Sequence, residues 1–305
     1  MTSVTARAPA KVNLALAVGP LRADGYHPLA TVYHAVDLCD EVRATATTGS
    51  EITVRVTYDG RSPAERGEVP LGSQNLAVQA ATLLRDSAKV RDGAELHVRK
   101  VIPVAGGMAG GSADAAAALV ACDQAWELGT PREHLEVLAG LLGSDVPFAL
   151  TGGTALGTGR GEQVSPVLAS GSFVWVLALS ARGLATPAVY AAYDQLGPPP
   201  PGEPQVSAAL MSALRAGDAA AVGAALHNDL QEAALALRPE LADTLAVGTE
   251  CAALGSVVSG SGPTVAFLAG DDEHALDLAL ALTGAGVCAD VVQAAGPVSG
   301  ARVVA

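Results

Sequence analysis

The sequence has few cysteines and few basic residues, and each shortage argues against a class of protein. Its four cysteines are far apart in a chain of 305 residues and form no Cys-x-x-Cys pair, so neither a zinc site nor a disulfide framework is indicated. Lys and Arg number 18 against 31 Asp and Glu, and the net charge of -13 opposes binding to nucleic acid or to an anionic membrane. An anionic ligand must therefore be held by backbone groups and a few local cations.

Long hydrophobic runs and aromatic residues are also scarce. The N-terminus lacks the apolar segment of a signal peptide, and no uncharged apolar run reaches about 18 residues, so we expect a soluble, cytoplasmic protein. Half of the residues are hydrophobic but only 3% are aromatic, which predicts a core of small aliphatic side chains with many helices. A single core rarely supports this length, so we expect two domains, 1–165 and 166–305.

The most informative segment present is a glycine-rich run at 103–116, Pro-Val-Ala-Gly-Gly-Met-Ala-Gly-Gly-Ser-Ala-Asp-Ala-Ala. A strand pattern at 95–101 precedes it, and an alanine-rich helix pattern at 112–126 overlaps its end. Glycines allow a tight turn, and the first N–H groups of a helix favour an anion, so the run predicts a phosphate-binding loop. The alternative is a turn that only packs a helix closely against a strand.

This glycine-rich loop belongs to neither of the two commonest phosphate-binding types. Gly106 and Gly111 have the spacing of the glycines in a P-loop, but Ser112 stands where that motif requires Lys. No register of the run matches the Gly-x-Gly-x-x-Gly fingerprint of dinucleotide-binding folds. Other segments of the chain must therefore indicate which phosphate compound is bound.

Segments spread from residue 8 to residue 265 resemble the GHMP kinases, which are named for galactose, homoserine, mevalonate and phosphomevalonate. The run at 103–115 is similar to their central motif, and Ser-Gly-Ser-Gly-Pro-Thr at 259–264 is similar to their C-terminal glycine motif. The segments 8–14, 24–27 and 143–148 are similar to one branch of the family. That branch phosphorylates the 2-hydroxyl of 4-diphosphocytidyl-2-C-methyl-D-erythritol in the non-mevalonate route to isoprenoids.

The resemblance implies an α+β fold with two domains. The first is similar to domain 2 of ribosomal protein S5 and carries the ATP site, and the second is a ferredoxin-like split α/β sandwich on the substrate side. Local patterns predict a strand at 51–58 and a helix at 75–85. In the second half of the sequence they predict strands at 173–180, 257–259, 264–268 and near 289–293, and helices near 206–215 and at 219–237, 239–253 and 273–283. The order of these later elements suits such a sandwich. The resemblance further implies ATP as phosphoryl donor, Mg²⁺ as cofactor and a small molecule as the binding partner.

Lys11 and Asp145 are the catalytic candidates that the resemblance indicates. Asp145 would accept the proton of the substrate alcohol. An Asp just before Val-Pro is also a good helix N-cap, and the two roles need not exclude each other. Lys11 lies in an apolar strand pattern, where a cation needs a partner, and pairing with Asp145 would place positive charge beside the reacting oxygen. A lysine that only extends along a sheet edge to solvent is the alternative.

Five residues are substrate-binding candidates by resemblance. Tyr26 would stack on the cytosine ring, His27 would hydrogen-bond it, and Asn13 would reach the erythritol end. Tyr190 follows the Thr-Pro pair at 186–187 with the spacing of a second stacking aromatic, and Thr186 would contact the methylerythritol part. An aromatic face beside a polar group is what a nucleobase requires. The alternative for Tyr26 and His27 is an ordinary surface turn.

The resemblance assigns ATP to the glycine-rich loop and to two residues near the adenine, Asn75 and Lys100. The loop positions are Pro103, Gly106, Gly107, Met108, Gly110, Gly111, Ser112 and Ala113. The sequence departs from the usual family pattern at three alanines, Ala105, Ala109 and Ala113, which stand where many members carry Gly, Gly and Ser.

No residue can be assigned as a Mg²⁺ ligand from the sequence. Asp114 is a candidate, but an aspartate favoured by the helix dipole is the alternative. The metal would then be held mostly by phosphates and water, as Mg²⁺ often is. The metal ligands therefore stay unassigned.

Two other functions are compatible with these motifs. One is a GHMP kinase acting on another small alcohol, such as homoserine or mevalonate, and the other is a ligand sensor that has kept the fold and lost catalysis. Tyr26, His27 and Tyr190 speak against the first, because those alcohols offer no ring to stack. The presence of both Lys11 and Asp145 speaks against the second.

Overall fold

Two β-sheets organise the protein, as seen in a computed structural model that describes residues 2–59, 69–104, 106–197, 199 and 202–304. The strands of the larger sheet are β1 (Ser3–Val18), β2 (Leu29–Thr47), β3 (Ile52–Tyr58), β4 (Gly93–Lys100), β5 (Thr154–Thr158), β6 (Gln163–Pro166), β8 (His227–Asn228) and β12 (Arg302–Val304). Those of the smaller sheet are β7 (Phe173–Leu179), β9 (Gly255–Val258), β10 (Val265–Ala269) and β11 (Asp290–Gly296).

The strand orders show how the two halves of the sequence are connected. The larger sheet runs β12-β1-β2-β4-β3, with β5 on β2, β6 on β5 and β8 on β1, and the smaller sheet runs β11-β7-β10-β9. Strands β8 and β12 both pair with β1 although they come late in the chain. The second half of the sequence therefore contributes two short strands to the first sheet.

Helices cover these sheets and connect their strands. They are α1 (Leu76–Ala88), α2 (Gly110–Ala125), α3 (Arg132–Leu142), α4 (Val146–Thr151), α5 (Thr186–Leu196), α6 (Ala208–Ala216), α7 (Ala219–Ala224), α8 (Gln231–Leu237), α9 (Glu240–Glu250) and α10 (Asp272–Ala285). In the part of the chain that the structure describes, no helix is long and apolar enough to span a lipid bilayer.

The long strand β1 runs through the core and carries two of the candidate site residues. It pairs antiparallel with β2 along its length, with register shifts at Pro9/Ala10 and Asn13/Ala15. Its middle is buried on both faces, which explains a nearly continuous apolar sequence there. Such bulges change the direction of side chains next to a site. The polar Lys11 and Asn13 are therefore exceptions in an otherwise apolar strand.

Helix α2 follows the glycine-rich loop and packs against α1, β1 and β2. Most of its residues are buried, and most of those are alanines. Alanine has the highest helix propensity and its short side chain allows the helix to approach the sheet closely. The close packing fixes the N-terminus of α2 with respect to β1, and the candidate site is built at that end.

Candidate active site

A cavity of about 1030 Å³ opens at the N-terminus of α2. Elements from both halves of the sequence line it, including β1, the glycine-rich loop, the turn at 24–27 and the start of α5. Thirteen of the predicted site residues contribute to its walls: Lys11, Asn13, Tyr26, His27, Pro103, Gly106, Gly107, Gly110, Gly111, Ser112, Asp145, Thr186 and Tyr190.

Lys11 lines this cavity and is almost fully buried. Its Nζ donates hydrogen bonds to Asn13 Oδ1 at 2.5 Å and to the Gly107 carbonyl at 2.8 Å, and it lies 3.9 Å from Asp145 Oδ2. Burial lowers the pKa of Lys11 from its usual 10.5, and the charge of Asp145 opposes that shift. The predicted pairing with Asp145 is confirmed, and the alternative of a solvent-exposed edge lysine is wrong.

Asp145 occupies the N-cap position of α4, but its side chain makes no capping hydrogen bond. Its Oδ1 instead accepts a hydrogen bond from the Tyr33 hydroxyl at 2.9 Å. Burial, followed by the charge of Asp145, raises the pKa of Tyr33 well above 10.0, so the phenol keeps its proton and acts as a donor. The carboxylate is thus held between a phenol and an ammonium group rather than by the helix backbone.

Asn13 is oriented from both ends of its amide. Its Oδ1 accepts from Lys11, and its Nδ2 donates to Thr31 Oγ1 at 2.7 Å. The Thr31 hydroxyl in turn donates to the Ala15 carbonyl at 2.7 Å, beside the register shift in β1. The bulge and this chain of hydrogen bonds fix the Asn13 amide next to Lys11.

The glycine-rich loop contacts the second glycine motif, at 259–264, directly. Gly107 has a φ of +77°, and a Cβ there would lie 2.3 Å from the Ser259 carbonyl oxygen. The Ser259 hydroxyl donates to the Gly107 carbonyl at 3.3 Å, and the Thr264 N–H donates to the Gly106 carbonyl at 3.3 Å. Only glycine allows this contact at position 107, because any side chain would collide with backbone.

The N-terminus of α2 provides a group of backbone donors that suits phosphate. The helix begins at Gly110, and its N-cap, Ala109, makes no side-chain capping hydrogen bond. Gly110, Gly111 and Ser112 all line the cavity. The first N–H groups of a helix have no partner within it, and the helix dipole favours an anion there. This segment therefore fits the phosphates of a nucleotide.

Two of the three alanines that depart from the family pattern can be located, while Ala105 lies outside the described residues. Ala113 is fully buried in the core face of α2, so a hydroxyl at this position would enter the core. Ala109 has a φ of +59°, in the left-handed region that costs an L-residue about 1–2 kcal/mol. The strain is thus located at the N-cap of α2.

We expect Ala109→Gly to raise the free energy of unfolding by about 0.5–1 kcal/mol. Glycine removes the left-handed strain, and the larger entropy of the unfolded chain offsets part of that gain. Urea denaturation measures the effect. The matched control is Ala281→Gly within α10, where glycine should destabilise by about 1 kcal/mol. Equal destabilisation by both substitutions would contradict the strain at Ala109.

The aromatic candidates line one part of the cavity, which we call its aromatic end. The His27 ring is buried and stacks on Tyr190, with centroids 5.3 Å apart and planes at 26°. Its Nδ1 donates to the Gly19 carbonyl at 2.8 Å, and its Nε2 lies 3.4 Å from Asp194 Oδ1. Tyr26 is 53% exposed, and the Arg160 guanidinium lies over one face of its ring, so the rest of the ring is open to a ligand. A hydrogen bond from His27 to a base stays a prediction, since both ring nitrogens have protein partners.

Thr186 and Tyr190 reach this end of the cavity from α5. Thr186 is the first residue of the helix, and its Oγ1 lies 2.9 Å from Ser261 Oγ of the second glycine motif. Burial, followed by the charge of Asp145, raises the pKa of Tyr190 above 10.0. The stacking residue and the candidate catalytic carboxylate are thus close enough to interact.

The comparisons with known proteins agree with this geometry. The family model described as GHMP kinases N terminal domain matches residues 75–153, and the one described as GHMP kinases C terminal matches residues 210–288. The chain belongs to the GHMP kinase family. The first match contains the glycine-rich loop and Asp145, and the second contains the glycine motif that faces the loop.

The individual relatives with higher identity bear the name of one kind of GHMP kinase. The chain is 58% identical to a 4-diphosphocytidyl-2-C-methyl-D-erythritol kinase of Thermobifida fusca and 53% identical to that of Streptomyces coelicolor, over 99% of each chain. A crystal structure of 4-(cytidine 5'-diphospho)-2C-methyl-D-erythritol kinase is 31% identical, with a TM-score of 0.74 over 95% of this chain and 98% of the other.

The fold is shared more widely than the sequence. A homoserine kinase from Cytophaga hutchinsonii has a TM-score of 0.76 at only 17% identity, covering 100% of this chain and 98% of its own. At that identity the likeness shows the fold alone. The predicted two-domain GHMP kinase fold is confirmed by these matches.

Asn75 does not line the cavity of this GHMP kinase. It is the N-cap of α1, where its Oδ1 accepts from Ala77 N–H at 2.9 Å and its Nδ2 donates to the Pro70 carbonyl at 2.8 Å. Both ends of the amide therefore stabilise the start of the helix. A contact between Asn75 and adenine stays a prediction.

Lys100 also lies outside the cavity, in a buried ion cluster. Its Nζ contacts Asp40, and it donates to Asp114 Oδ2 at 2.8 Å. Asp40 Oδ1 accepts from the backbone N–H groups of Val101 at 2.6 Å and Ile102 at 2.8 Å. Burial alone would lower the pKa of Lys100, but the two carboxylates raise it, so the lysine stays charged. Its assignment to the adenine stays a prediction.

The same cluster accounts for Asp114, the candidate Mg²⁺ ligand. Asp114 is buried, and burial raises its pKa well above 3.8 against the opposing charge of Lys100. A Cβ on Gly110 would lie 3.1 Å from Lys100 Nζ, so the cluster packs directly against the first turn of α2. Among the described residues, no group of three His, Cys, Asp or Glu could hold a metal ion.

Met108 and Ala113, two predicted ATP contacts, have side chains in the core. The Met108 carbonyl accepts a hydrogen bond from the backbone N–H of Lys11 at 3.2 Å, which connects the loop to β1. Any contact of these residues with a nucleotide would therefore be made by their backbone.

Several cavity residues were not predicted from the sequence. They are Tyr33, Ser144, Arg160, Asp194, Gly260 and Ser261 among others. Ser144, Gly260 and Ser261 lie within segments that resemble family motifs, so those motifs could have indicated them as site residues. Tyr33, Arg160 and Asp194 lie outside those segments, and only the folded chain brings them to the cavity.

Proposed function

We propose that this GHMP kinase transfers the γ-phosphoryl group of ATP to the 2-hydroxyl of 4-diphosphocytidyl-2-C-methyl-D-erythritol. The products are the 2-phosphate and ADP, in the non-mevalonate route to isoprenoid precursors. The observation that carries the proposal is the Lys11–Asp145 pair, 3.9 Å apart, in one cavity with a phosphate-binding helix start and an aromatic turn. Relatives of 50–58% identity over nearly the full chain bear the name of this kinase.

In this proposal Asp145 accepts the proton and Lys11 stabilises the charge that develops. Asp145 Oδ2 accepts the proton of the 2-hydroxyl as the oxygen attacks phosphorus, and Oδ1 remains hydrogen-bonded to Tyr33. Lys11 stabilises the developing negative charge on the reacting oxygen, since its ammonium group lies beside the carboxylate. The Asn13 amide, held by Lys11 and Thr31, orients the erythritol end.

The glycine-rich loop and the start of α2 bind the phosphates of ATP. Gly110, Gly111 and Ser112 line the cavity, and their backbone N–H groups and the Ser112 hydroxyl are the donors for the phosphates in this proposal. Mg²⁺ supplies neutralisation of phosphate charge when bound. The ion would be held mostly by phosphates and water, as Mg²⁺ often is.

Release of ADP tests this function. The purified protein is incubated with ATP and Mg²⁺ together with 4-diphosphocytidyl-2-C-methyl-D-erythritol, homoserine or mevalonate, each at matched concentration. Turnover with the cytidyl compound alone is expected. Turnover with homoserine or mevalonate instead would reject the substrate assignment and keep the kinase.

The pH dependence of the reaction should show that catalysis needs the charged form of Lys11. Because burial lowers its pKa below 10.5, the charged form needed for catalysis is lost as the pH rises through that lowered value. We therefore expect kcat/KM to fall on an alkaline limb below pH 10.5. In Lys11→Arg the guanidinium keeps its charge, so the remaining activity should lack this limb.

Circular dichroism at each pH value provides the control for unfolding. An alkaline limb that is unchanged in Lys11→Arg would show that another group titrates. Tyr33 and Tyr190 would not produce it below pH 10, since burial raises the pKa of both hydroxyls above 10.0.

A further inference from the structure

Arg160 is an exposed cation in the cavity wall, and the part of the chain that the structure describes contains no ionic partner for it. It lies in the turn between β5 and β6, and its guanidinium carbon is 4.9 Å from the centroid of the Tyr26 ring. Across the described residues, its guanidinium makes no hydrogen bond or ion pair to protein. Its backbone N–H donates to Glu162 Oε2 at 2.6 Å, which holds the turn. A guanidinium with five free donors is therefore presented to the cavity.

The turn that carries Arg160 contacts both Tyr26 and Tyr33, the hydrogen-bond partner of Asp145. Arg160 contacts Tyr26 at the aromatic end. The next residue, Gly161, packs so closely on Tyr33 that a Cβ there would lie 2.4 Å from the Tyr33 hydroxyl oxygen. That hydroxyl donates to Asp145. Residues 160–161 thus bridge the proposed nucleobase site and the proposed reaction site.

The charges of the cavity leave one position for a substrate anion. The described residues that line the cavity include one lysine, Lys11, and one arginine, Arg160. Lys11 already has three partners, namely Asn13, Gly107 and Asp145. Asp24 and Asp194 also line the cavity and would repel an anion. In a protein of net charge -13, an unpaired arginine at this place requires an explanation.

We infer that Arg160 binds the diphosphate of the alcohol substrate and so selects an alcohol that carries a nucleoside diphosphate. This inference rests on the proposed function. In that substrate the diphosphate joins the cytidine to the methylerythritol, so it must lie between the aromatic end and Asp145. The planar guanidinium matches two phosphate oxygens at once, and stacking on Tyr26 leaves its N–H groups free for them.

Steady-state kinetics of Arg160→Ala test this role. We expect KM for the cytidyl substrate to rise about 10-fold to 100-fold, the usual effect of losing one charge-assisted contact, with kcat changed less than about threefold. Arg160→Lys should recover part of the loss, because it keeps the charge but not the fork. Arg91→Ala, an exposed arginine outside the cavity, controls for the change in net charge and should leave both constants unchanged.

A second comparison separates contact with the diphosphate from support of the Tyr26 ring. Arg160→Ala is repeated in a Tyr26→Leu background, which has no ring for the guanidinium to hold. A similar rise in KM in both backgrounds supports direct binding. Loss of the effect in the leucine background would mean that Arg160 acts only through Tyr26, and would overturn the inference.

The two proposals fail in different ways. If the wild-type protein does not phosphorylate the cytidyl substrate, the proposed function fails before any variant is compared. If it does, and Arg160→Ala keeps the wild-type KM, the function stands and the role of Arg160 is rejected.

Discussion

Asp145→Asn should lower kcat by about 10²-fold to 10⁴-fold, the usual contribution of a positioned general base. The amide keeps the size of the carboxylate and still accepts a hydrogen bond from Tyr33, but it cannot take the proton of the substrate hydroxyl. Binding of both substrates should persist, with KM values within a few-fold of wild type. Coupled ADP-release kinetics measure both constants.

Asp218→Asn is the matched control for this substitution. Asp218 caps α7 by accepting from the Ala221 N–H at 3.0 Å, a contact that Asn makes equally well, and it lies outside the cavity. It should keep wild-type kinetics. If Asp145→Asn raised KM strongly and left kcat intact, Asp145 would be a binding residue. Equal, low activity of wild type and Asp145→Asn would support a ligand sensor.

Lys100→Met should lower the free energy of unfolding by about 3–5 kcal/mol. The substitution removes the only described cation of the cluster and leaves the buried Asp40 carboxylate without its counter-charge. Breaking a buried ion pair from one side costs this much because the remaining charge has been removed from water. Urea denaturation monitored by circular dichroism measures it, and a loss below about 1 kcal/mol would contradict the charged cluster.

Asp114→Asn tests how ionisation of this carboxyl group affects the stability of the same cluster. Burial raises the pKa of Asp114 above 3.8, so its contribution to stability is present below pH 3.8 and is lost as the pH rises through the folded-state pKa. The neutral Asn should remove this pH dependence, and it should cost far less than Lys100→Met. Urea denaturation of the wild type and both variants at a series of pH values above 3.8 shows both effects.

Local patterns predicted much of the secondary structure. The alternation at 51–58 corresponds to β3, and the helix expected at 75–85 corresponds to α1. The helix after the glycine-rich loop is α2. These elements depend on side-chain periodicity and helix propensity within a short window, which the sequence displays directly.

The same reasoning failed where tertiary contacts override local preference. The pattern over 219–237 predicts one helix, but the chain forms α7, the short strand β8 and α8. Asn228, within β8, donates to the carbonyl groups of Val258 and Gly260, and β8 pairs with β1. These distant partners compensate for an interrupted helix, and a local window contains none of them.

The features of the candidate site are also of two kinds: those that the local sequence predicts and those that only the fold brings together. The sequence alone specifies a flexible glycine-rich loop ahead of an alanine helix, a lysine in an apolar strand, and an aspartate at a helix start, because each depends on neighbouring residues. The folded chain decides that Gly107 contacts the second glycine motif, that Asp145 bonds Tyr33 and that Lys100 is buried between two carboxylates. Those contacts join residues far apart in the chain, and sheet topology and packing, rather than local preference, bring them together.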